Sequence, residues 1–411
     1  MSSMVARELE RFAANVPDTF HVAFADGGVF QSRPGEPAFT LRFRSQSAQW
    51  KPALFGHIGL LDAYFEGELD VEGDLRALLR AGMSGRLGGR NPLVTVRNHW
   101  HEAMRGNRTR EMARRNARFH YALGTEFYRY WLDDPYMMYT CAYWKEGTRD
   151  VDEAQANKID HVCRKLRIAP GDSVVDIGCG FGGFMFRAHE QLGVDVTGVN
   201  CTDEQVVAVD AMIRERGLSD RLRVVQGDFR DAFATFDKVV SIGVLEHAGR
   251  DQLDDVVRAH AQFLKPGGLG MLHFIGHVGQ RDTEFFIRNW VFPGGWIPSL
   301  ADVIVAMERH GLEVVDIENL RRHYALTLDA WTERFERHWP EIHALDPVKF
   351  DERFRRIWRT YLIGCAEMFR SDHERTHLFQ IVFSRPNINQ RNYPMSRAFL
   401  YRDDTDGPGG R

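Results

Sequence analysis

The 411-residue chain lacks a run of apolar residues long enough to span a bilayer, and its N-terminus lacks the pattern of a secretory signal peptide. Its five cysteines are an odd number without a C-x-x-C pair, so neither a disulfide framework nor a structural zinc site is indicated. The formal net charge of −4 disfavours general binding to nucleic acid. These absences predict a cytoplasmic protein with no nucleic-acid partner and no bound metal.

A glycine-rich turn at residues 178–183 is the most informative feature that the chain does have. The apolar run 174–177 is typical of a strand, and residues 184–188 are typical of the start of a helix. Glycine accepts positive φ and carries no Cβ, so such a turn lets the backbone approach a ligand closely. In open α/β sheets, a turn of this kind at the carboxyl end of the first strand binds nucleotide-like cofactors. The turn therefore predicts a ligand that contains a ribose.

Three interpretations of this turn compete. Gly178, Gly180 and Gly183 satisfy the dinucleotide pattern G-x-G-x-x-G, which would indicate a nicotinamide enzyme. That pattern requires an acidic residue near the end of the next strand, but the predicted strand ends in Asn200. Asp176 lies two residues before the first glycine and gives D-x-G-x-G-x-G, the usual opening of S-adenosylmethionine methyltransferases. We favour S-adenosylmethionine over a dinucleotide and over a purely structural turn.

The N-terminal residues 1–105 lack the alternation of strands and helices that follows later. Alternating apolar residues predict a strand at 39–44, and short amphipathic helices are predicted at 60–67 and 75–80. Residues 82–91 are rich in glycine and arginine and are typical of a linker. We expect a small α+β domain here, followed by a linker and N-terminal helices of the catalytic domain at 106–172.

The catalytic domain is predicted at residues 173–400, with a flexible tail at 401–411. Helix-length segments separate five predicted strands, at 173–175, 195–199, 222–225, 238–242 and 269–274. This alternation predicts a doubly wound, mostly parallel sheet. Residues 277–370 carry arginine and aromatic residues at helical spacing and predict a helical cap over the carboxyl edge of the sheet.

An arginine cluster precedes the catalytic domain. It consists of Arg105, Arg108, Arg110, Arg114, Arg115 and Arg118. One interpretation is a solvated helix face. The other is a patch that attracts anionic lipid headgroups, where each basic residue contributes about 1 kcal/mol near such a surface.

With these features in place, the chain resembles the cyclopropane-fatty-acyl-phospholipid synthases, which are related to the mycolic acid cyclopropane synthases. The resemblance covers nearly the whole sequence. It is carried by the segments 138–144 (MYTCAYW), 176–180 (DIGCG), 245–249 (LEHAG), 272–276 (LHFIG), 292–295 (FPGG) and 323–328 (HYALTL), by the helix that carries Cys365, and by residues 67–71.

The resemblance implies a class I, Rossmann-like S-adenosylmethionine methyltransferase whose N-terminal domain associates with lipid. The cis double bond of a phospholipid acyl chain would attack the sulfonium methyl group, and deprotonation of the resulting carbocation would close a cyclopropane ring. Water must be excluded, because it would trap the cation. The resemblance also implies a bound bicarbonate ion as the base, association with the inner face of the membrane, and a homodimer as a candidate assembly.

The resemblance assigns two sets of residues. The bicarbonate would be held by the backbone amide of Cys141 and by Glu246, His273, Tyr324 and Cys365. Together with Asp176 from the glycine motif, the cofactor would be held by Tyr139, Thr140, Gly178, Gly180, Asn200, Gln205, Gln226, Asp228 and Phe229. Structural alternatives stay open: Glu246 as a helix cap, His273 as a core histidine, and Asp228 as a turn residue.

The sequence departs from the family pattern at three places. The usual His-Tyr-Asp-x-Gly motif stands as residues 120–124 with Ala122 in place of the carboxylate, and Asn200 and Phe274 stand where threonine is common. These departures leave the cofactor prediction unchanged but bear on the fate of the carbocation. The alternative product is a methyl- or methylene-branched acyl chain.

Overall fold

The computed structural model describes residues 3–85, 106–107, 109, 111–112, 115–116, 123–281 and 283–401. Most of the predicted linker, the arginine cluster apart from Arg115, residues 120–122 of the variant motif and the tail from residue 402 lie outside the described residues. Within the described ranges, no helix combines the length and the apolar character that crossing a bilayer requires.

The chain forms two compact units that interleave along the sequence. Unit 1 comprises Met1–Gly106, Thr283–Gly294 and Leu328–Glu374, and unit 2 comprises Asn107–Asp282, Gly295–Thr327 and Arg375–Arg411. Residues 283–294 and 328–374 are thus grouped with the N-terminal residues, whereas the sequence places them in a catalytic domain at 173–400. The predicted domain boundaries stay predictions.

The elements are named in chain order over the described residues. The helices are α1 Ser3–Asn15, α2 Gln46–Phe65, α3 Leu75–Gly85, α4 Thr125–Arg129, α5 Val151–Lys165, α6 Gly183–Leu192, α7 Asp203–Glu215, α8 Leu253–Phe263, α9 Leu300–Arg309, α10 Arg321–Arg337, α11 Trp339–Leu345 and α12 Glu352–Arg370. The strands are β1 Phe20–Ala23, β2 Val29–Gln31, β3 Phe39–Phe43, β4 Leu69–Gly73, β5 Ser173–Ile177, β6 Asp195–Asn200, β7 Leu222–Gln226, β8 Phe236–Ile242, β9 Leu264–His277, β10 Glu313–Asn319 and β11 Thr376–Arg385.

Unit 1 contains a four-stranded sheet in the order β2-β1-β3-β4, with β1 and β3 parallel and the other pairs antiparallel. The predicted alternation in β3 is confirmed, because Phe39, Leu41 and Phe43 are all buried and share one face. Their neighbours in the strand point away from this core, as the two-residue period of a strand requires.

Hydrogen bonds and ion pairs of charged side chains connect α12 to the N-terminal part of unit 1. The guanidinium of Arg356 donates to the carbonyl oxygens of Tyr64 (2.8 Å) and Leu69 (3.2 Å) and to the carboxylate of Asp70 (3.0 Å). The carboxylate of Glu367 is almost fully buried and accepts from Arg76 at 2.6 Å. These bonds explain why residues 328–374 are grouped with the first hundred residues rather than with unit 2.

Unit 2 is built on a seven-stranded sheet in the order β10-β11-β9-β8-β5-β6-β7. The strands from β9 to β7 are all parallel to one another, as the sequence predicts. The neighbours of β5 are β8 and β6, so the strand order reverses at β5, and ligands bind at such a reversal beyond the carboxyl ends of the strands. The glycine turn begins at this point, directly after β5.

Two antiparallel strands at one edge correct the sequence prediction. Residues 313–319 were expected within a helical cap, but they form β10, which pairs with β11, and β11 pairs with β9. The residues of β10 are partly buried along almost its whole length, so its sequence lacks both the alternation and the continuous apolar run that identify strands. Pairing with β11 decides its conformation.

The Arg356 contacts generate a prediction about stability. We expect Arg356→Met to lower the free energy of unfolding by about 1–3 kcal/mol, because it removes three hydrogen bonds from a partly buried guanidinium, although Asp70 keeps its bond to Arg44. Urea denaturation followed by circular dichroism measures this. Arg337→Met is the matched control, since Arg337 pairs only at the surface with Glu333 and should change stability by less than about 1 kcal/mol. Equal effects of the two substitutions would contradict the assignment.

Candidate active site

The glycine turn follows β5 directly, and its backbone has a conformation that residues with a side chain rarely adopt. Gly178, Gly180 and Gly182 have φ values of 77°, 54° and 82°. A Cβ on Gly178 would lie 2.2 Å from Cγ2 of Val244, so the turn packs directly against the segment that follows β8. The amide of Gly178 donates to the carbonyl of Val199 at 2.8 Å, which holds the turn against β6. The positive φ values and the close packing require glycine here.

A cleft opens beside this turn at the carboxyl ends of β5, β6 and β8. It brings together five of the predicted cofactor residues, namely Gly178, Gly180, Asn200, Gln205 and Phe229, along with Gly243, Val244 and His247. The amide nitrogen of Asn200 donates to the carbonyl of Gly180 (3.2 Å) and to Oε1 of Gln205 (3.0 Å). Asn200 therefore links β6 to the glycine turn and to α7.

Other predicted cofactor residues lie near this cleft without being part of its described lining: Tyr139, Thr140, Asp176, Gln226 and Asp228. Gln226 is exposed and donates to Asp203. Asp176 is buried in β5, where burial raises its pKa to about 7 and the charge of Lys158 opposes the rise. Its carboxyl group therefore lies in a water-poor environment.

Arg230 contacts two neighbouring residues that the resemblance assigns to the cofactor, Asp228 and Phe229. Its Nε and Nη2 atoms donate to the two carboxylate oxygens of Asp228 at 2.5 and 2.6 Å. Its guanidinium also lies 4.6 Å from the centre of the Phe229 ring. A carboxylate has more acceptor positions than these bonds use, so Asp228 keeps capacity for a further donor. Arg230 fixes its orientation.

The segment that carries Tyr139 and Thr140 is held by side chains of α5. The amide nitrogen of Gln155 donates to the carbonyls of Met138 (3.0 Å) and Thr140 (2.8 Å). The Nζ atom of Lys158 donates to Oγ1 of Thr140 at 2.7 Å. Lys158 is fully buried, and burial lowers its pKa to about 8 while Asp133 opposes the change.

Glu246 lies just beyond β8, where β9 continues without a neighbour on that side. The last paired residues of these strands are Ile242 and His273, and Glu246 Oε1 then accepts from the amide of Ile275 at 2.6 Å. Its Oε2 atom is buried and has no partner within the described chain, although the residue as a whole is partly exposed. Burial raises the pKa of Glu246 to about 7, and the Ile275 amide opposes the rise.

His273 stands in β9 at the same end of the sheet. Its Nδ1 atom lies 3.1 Å from the amide nitrogen of Gln380, whereas its Nε2 atom is buried with no partner within the described chain. Burial and the nearby lysine charges hold its pKa well below the usual range, so the ring is neutral. Buried polar atoms are normally hydrogen-bonded, so Oε2 of Glu246 and Nε2 of His273 can each bind a ligand or a water molecule.

The remaining predicted residues fall in both units. In unit 2, the thiol of Cys141 is buried and donates to the carbonyls of Ala142 (3.2 Å) and Leu320 (3.9 Å), and Tyr324 is buried near the start of α10. In unit 1, Cys365 lies on α12, and burial raises the pKa of its thiol to about 12. Both thiols are therefore protonated and unreactive at neutral pH.

The sequence analysis missed the polar residues of α5. Gln155, Lys158, His161 and Lys165 are all fully buried and follow one another at intervals of three, three and four residues, so they form one polar stripe on the helix. The spacing was visible in the sequence. A polar stripe on a helix usually faces solvent, however, and here it faces the interior.

Comparisons with known proteins give a consistent result. The family model described as mycolic acid cyclopropane synthetase matches residues 108–381. A probable fatty acid methyltransferase of Pseudomonas putida is 35% identical over 392 residues, which cover 92% of this chain and 95% of that protein. The cyclopropane-fatty-acyl-phospholipid synthase of Escherichia coli K12 is 33% identical over 341 residues, which cover 80% and 84%.

A solved structure agrees with these sequence matches. A mycolic acid cyclopropane synthase crystallised with S-adenosylhomocysteine and CTAB is 30% identical, with a TM-score of 0.60, over 66% of this chain and 97% of that one. This likeness and the mostly parallel sheet of unit 2 confirm the predicted fold class, a Rossmann-like methyltransferase.

The buried carboxyl group of Glu246 generates a prediction about pH. Its folded-state pKa of about 7 lies above the ordinary value of 4.5, so its contribution to stability is complete below pH 4.5 and is lost as the pH rises to 7. Glu246→Gln removes this dependence. We expect the free energy of unfolding of the variant, relative to that of the wild type, to rise by about 3 kcal/mol between pH 4.5 and pH 7.5.

Urea denaturation at several pH values measures this difference. Glu333→Gln is the control, because Glu333 is exposed on α10. A difference between Glu246→Gln and the wild type that stays constant with pH would show that the carboxyl group is not buried in solution.

Proposed function

Because the chain belongs to the mycolic acid cyclopropane synthetase family, we propose that it adds a one-carbon unit from S-adenosylmethionine to the cis double bond of an unsaturated phospholipid acyl chain, with a cyclopropane ring as the main product. Family membership makes it an S-adenosylmethionine-dependent methyltransferase. The observation that carries the finer proposal is the pair of buried, unpartnered atoms on Glu246 and His273 at the sheet end that also carries the cofactor cleft.

The residues of unit 2 fit S-adenosylmethionine. The glycine turn offers backbone without side chains, Asn200 and Gln205 offer polar groups beside it, and Phe229 offers an aromatic face. When bound, the cofactor supplies an electrophilic methyl group on a sulfonium. The proposed holders are Tyr139, Thr140, Asp176, Gly178, Gly180, Asn200, Gln205, Gln226, Asp228 and Phe229.

The residues around Glu246 fit a small oxyanion such as bicarbonate, which when bound supplies a base. Glu246 titrates near pH 7 and can donate a hydrogen bond from Oε2 when it is protonated, since Oε1 already accepts from Ile275. The neutral ring of His273 offers its second nitrogen. Cys141 and Tyr324 are further proposed holders, and both are buried, which agrees with a site that excludes water. Cys365 stays a prediction from the resemblance.

The protein would act at a membrane surface, because its proposed substrate is a phospholipid. We place it in the cytoplasm, associated peripherally with the inner face of the membrane through the N-terminal domain, with a homodimer as the candidate assembly.

A methyl- or methylene-branched product is the second candidate. The Pseudomonas putida relative, 35% identical over 92% of this chain, is named as a probable fatty acid methyltransferase, and Phe274 adjoins His273 where threonine is common in the family. Mass spectrometry of the lipids of a cell that expresses the chain separates the candidates. A cyclopropane resists mild hydrogenation and a methylene branch does not, so a reduced sample distinguishes ring from branch.

Substitutions at the site test the proposal directly. We expect Glu246→Gln and His273→Ala to lower turnover on unsaturated liposomes by at least about 100-fold, because each removes a group that stabilises charge in the reaction. Cofactor affinity should stay within about threefold. Asp176→Ala should instead raise the Kd for S-adenosylmethionine about tenfold, which corresponds to about 1.4 kcal/mol.

Release of S-adenosylhomocysteine measures turnover, and calorimetry measures cofactor binding. Glu215→Gln, at the exposed end of α7, is the control and should leave both quantities unchanged. Loss of cofactor binding in both Glu246→Gln and His273→Ala would show that these residues were assigned to the wrong step.

A further inference from the structure

A row of polar side chains crosses the sheet of unit 2 from its edge to the candidate site. Glu318 of β10 is paired with Gln380 of β11, and Gln380 is paired with His273 of β9. Side chains at directly paired positions lie next to each other on the same face of a sheet. Three polar residues are therefore aligned on the sheet face that also carries the buried apolar residues Met271 and Val382.

Lys165 of α5 joins this row from above the sheet. Its Nζ atom donates to Oε2 of Glu318 at 2.6 Å and to Oε1 of Gln380 at 2.7 Å. The amide nitrogen of Gln380 lies 3.1 Å from Nδ1 of His273. Lys165 and Gln380 are fully buried, and His273 is 2% exposed, so water does not compete for these bonds.

The direction of each bond in this row follows from the chemistry of the groups. A lysine ammonium only donates, so the oxygen of the Gln380 amide must face Lys165, and its NH₂ group must face His273. An NH₂ group also only donates, so Nδ1 of His273 must accept. A neutral imidazole that accepts at Nδ1 carries its proton on Nε2.

We propose that Lys165 and Gln380 are positioning residues that fix His273 as the Nε2–H tautomer, so that its ring donates a hydrogen bond into the active site. The catalytic consequence rests on the proposed function, whereas the tautomer itself does not. The burial that keeps the ring neutral supports the same state.

The consequence for the chemistry is specific. An Nε2–H group cannot accept a proton, so His273 is not the base of the reaction. The atom that faces it must be an acceptor, such as an oxygen of a small oxyanion. The opposite tautomer would present a lone pair to that oxygen and repel it.

The first test is spectroscopic and uses the whole protein. In protein labelled with [¹⁵N]histidine, a long-range ¹H–¹⁵N correlation shows which ring nitrogen carries the proton, and the His273→Asn variant identifies the signals among the 17 histidines. We expect a neutral ring protonated on Nε2. Gln380→Glu replaces the donor opposite Nδ1 by an acceptor, so Nδ1 should become protonated.

The second test is kinetic. Gln380→Leu removes the bond to Nδ1 without adding charge, and we expect kcat to fall on the order of 100-fold, because the donor to the reacting group is no longer fixed. The KM for S-adenosylmethionine should stay within about twofold. Gln252→Leu is the matched control: Gln252 is also a buried glutamine of unit 2, it donates to the carbonyl of Asn107, and its loss should leave kcat unchanged.

Each outcome decides a separate point. A wild-type ring protonated on Nδ1, or an unchanged Nδ1 in Gln380→Glu, overturns the tautomer assignment. A Gln380→Leu variant as active as Gln252→Leu overturns the positioning role. If the wild type shows the Nε2–H signal but releases no S-adenosylhomocysteine with any unsaturated lipid, the proposed function fails while the tautomer assignment stands. The wild-type spectrum needs no variant, so the proposal stays testable even if one variant fails to fold.

Discussion

The inward-facing polar stripe of α5 is the constraint on which the geometry of unit 2 depends. An ammonium group that is removed from water costs several kcal/mol unless it is paired, and α5 buries two of them, on Lys158 and Lys165. Lys158 donates to Thr140, beside the cleft, and Lys165 donates to Glu318 on the edge strand β10 and to Gln380 on the adjacent strand β11. One helix therefore fixes both the loop before the site and the strands that support it.

Unit 2 contains several buried ionisable groups whose pKa values are shifted. Asp176 and Glu246 have pKa values raised to about 7, and Lys158 has a pKa lowered to about 8, in each case chiefly because of burial. Exclusion of water disfavours the charged form of each group, which moves all three pKa values toward neutral pH. The proposed reaction would also need water to be excluded from the site, so the two requirements would have a single physical origin.

The sequence predicted what depends on local patterns. The five parallel strands, the glycine turn and the position of Asn200 at the end of β6 follow from short-range periodicity and from the backbone freedom of glycine. Strand β10 and the contact of Gln380 with His273 were not predictable in this way, because they depend on pairing between segments far apart in the sequence, 107 residues in the case of Gln380 and His273. The stripe on α5 shows a further limit: periodicity reveals two faces of a helix but does not tell which of them faces water.

The position of β11 has a consequence for how the chain is made. It lies between β9 and β10, yet it is synthesised after both. During synthesis, one edge of β9 therefore stays unpaired until residues 376–385 have been made. The apolar residues Phe379, Ile381 and Phe383 must then insert between two strands that are already present. A chain that ends before residue 376 would lack Gln380, and Nδ1 of His273 would then have no partner from β11.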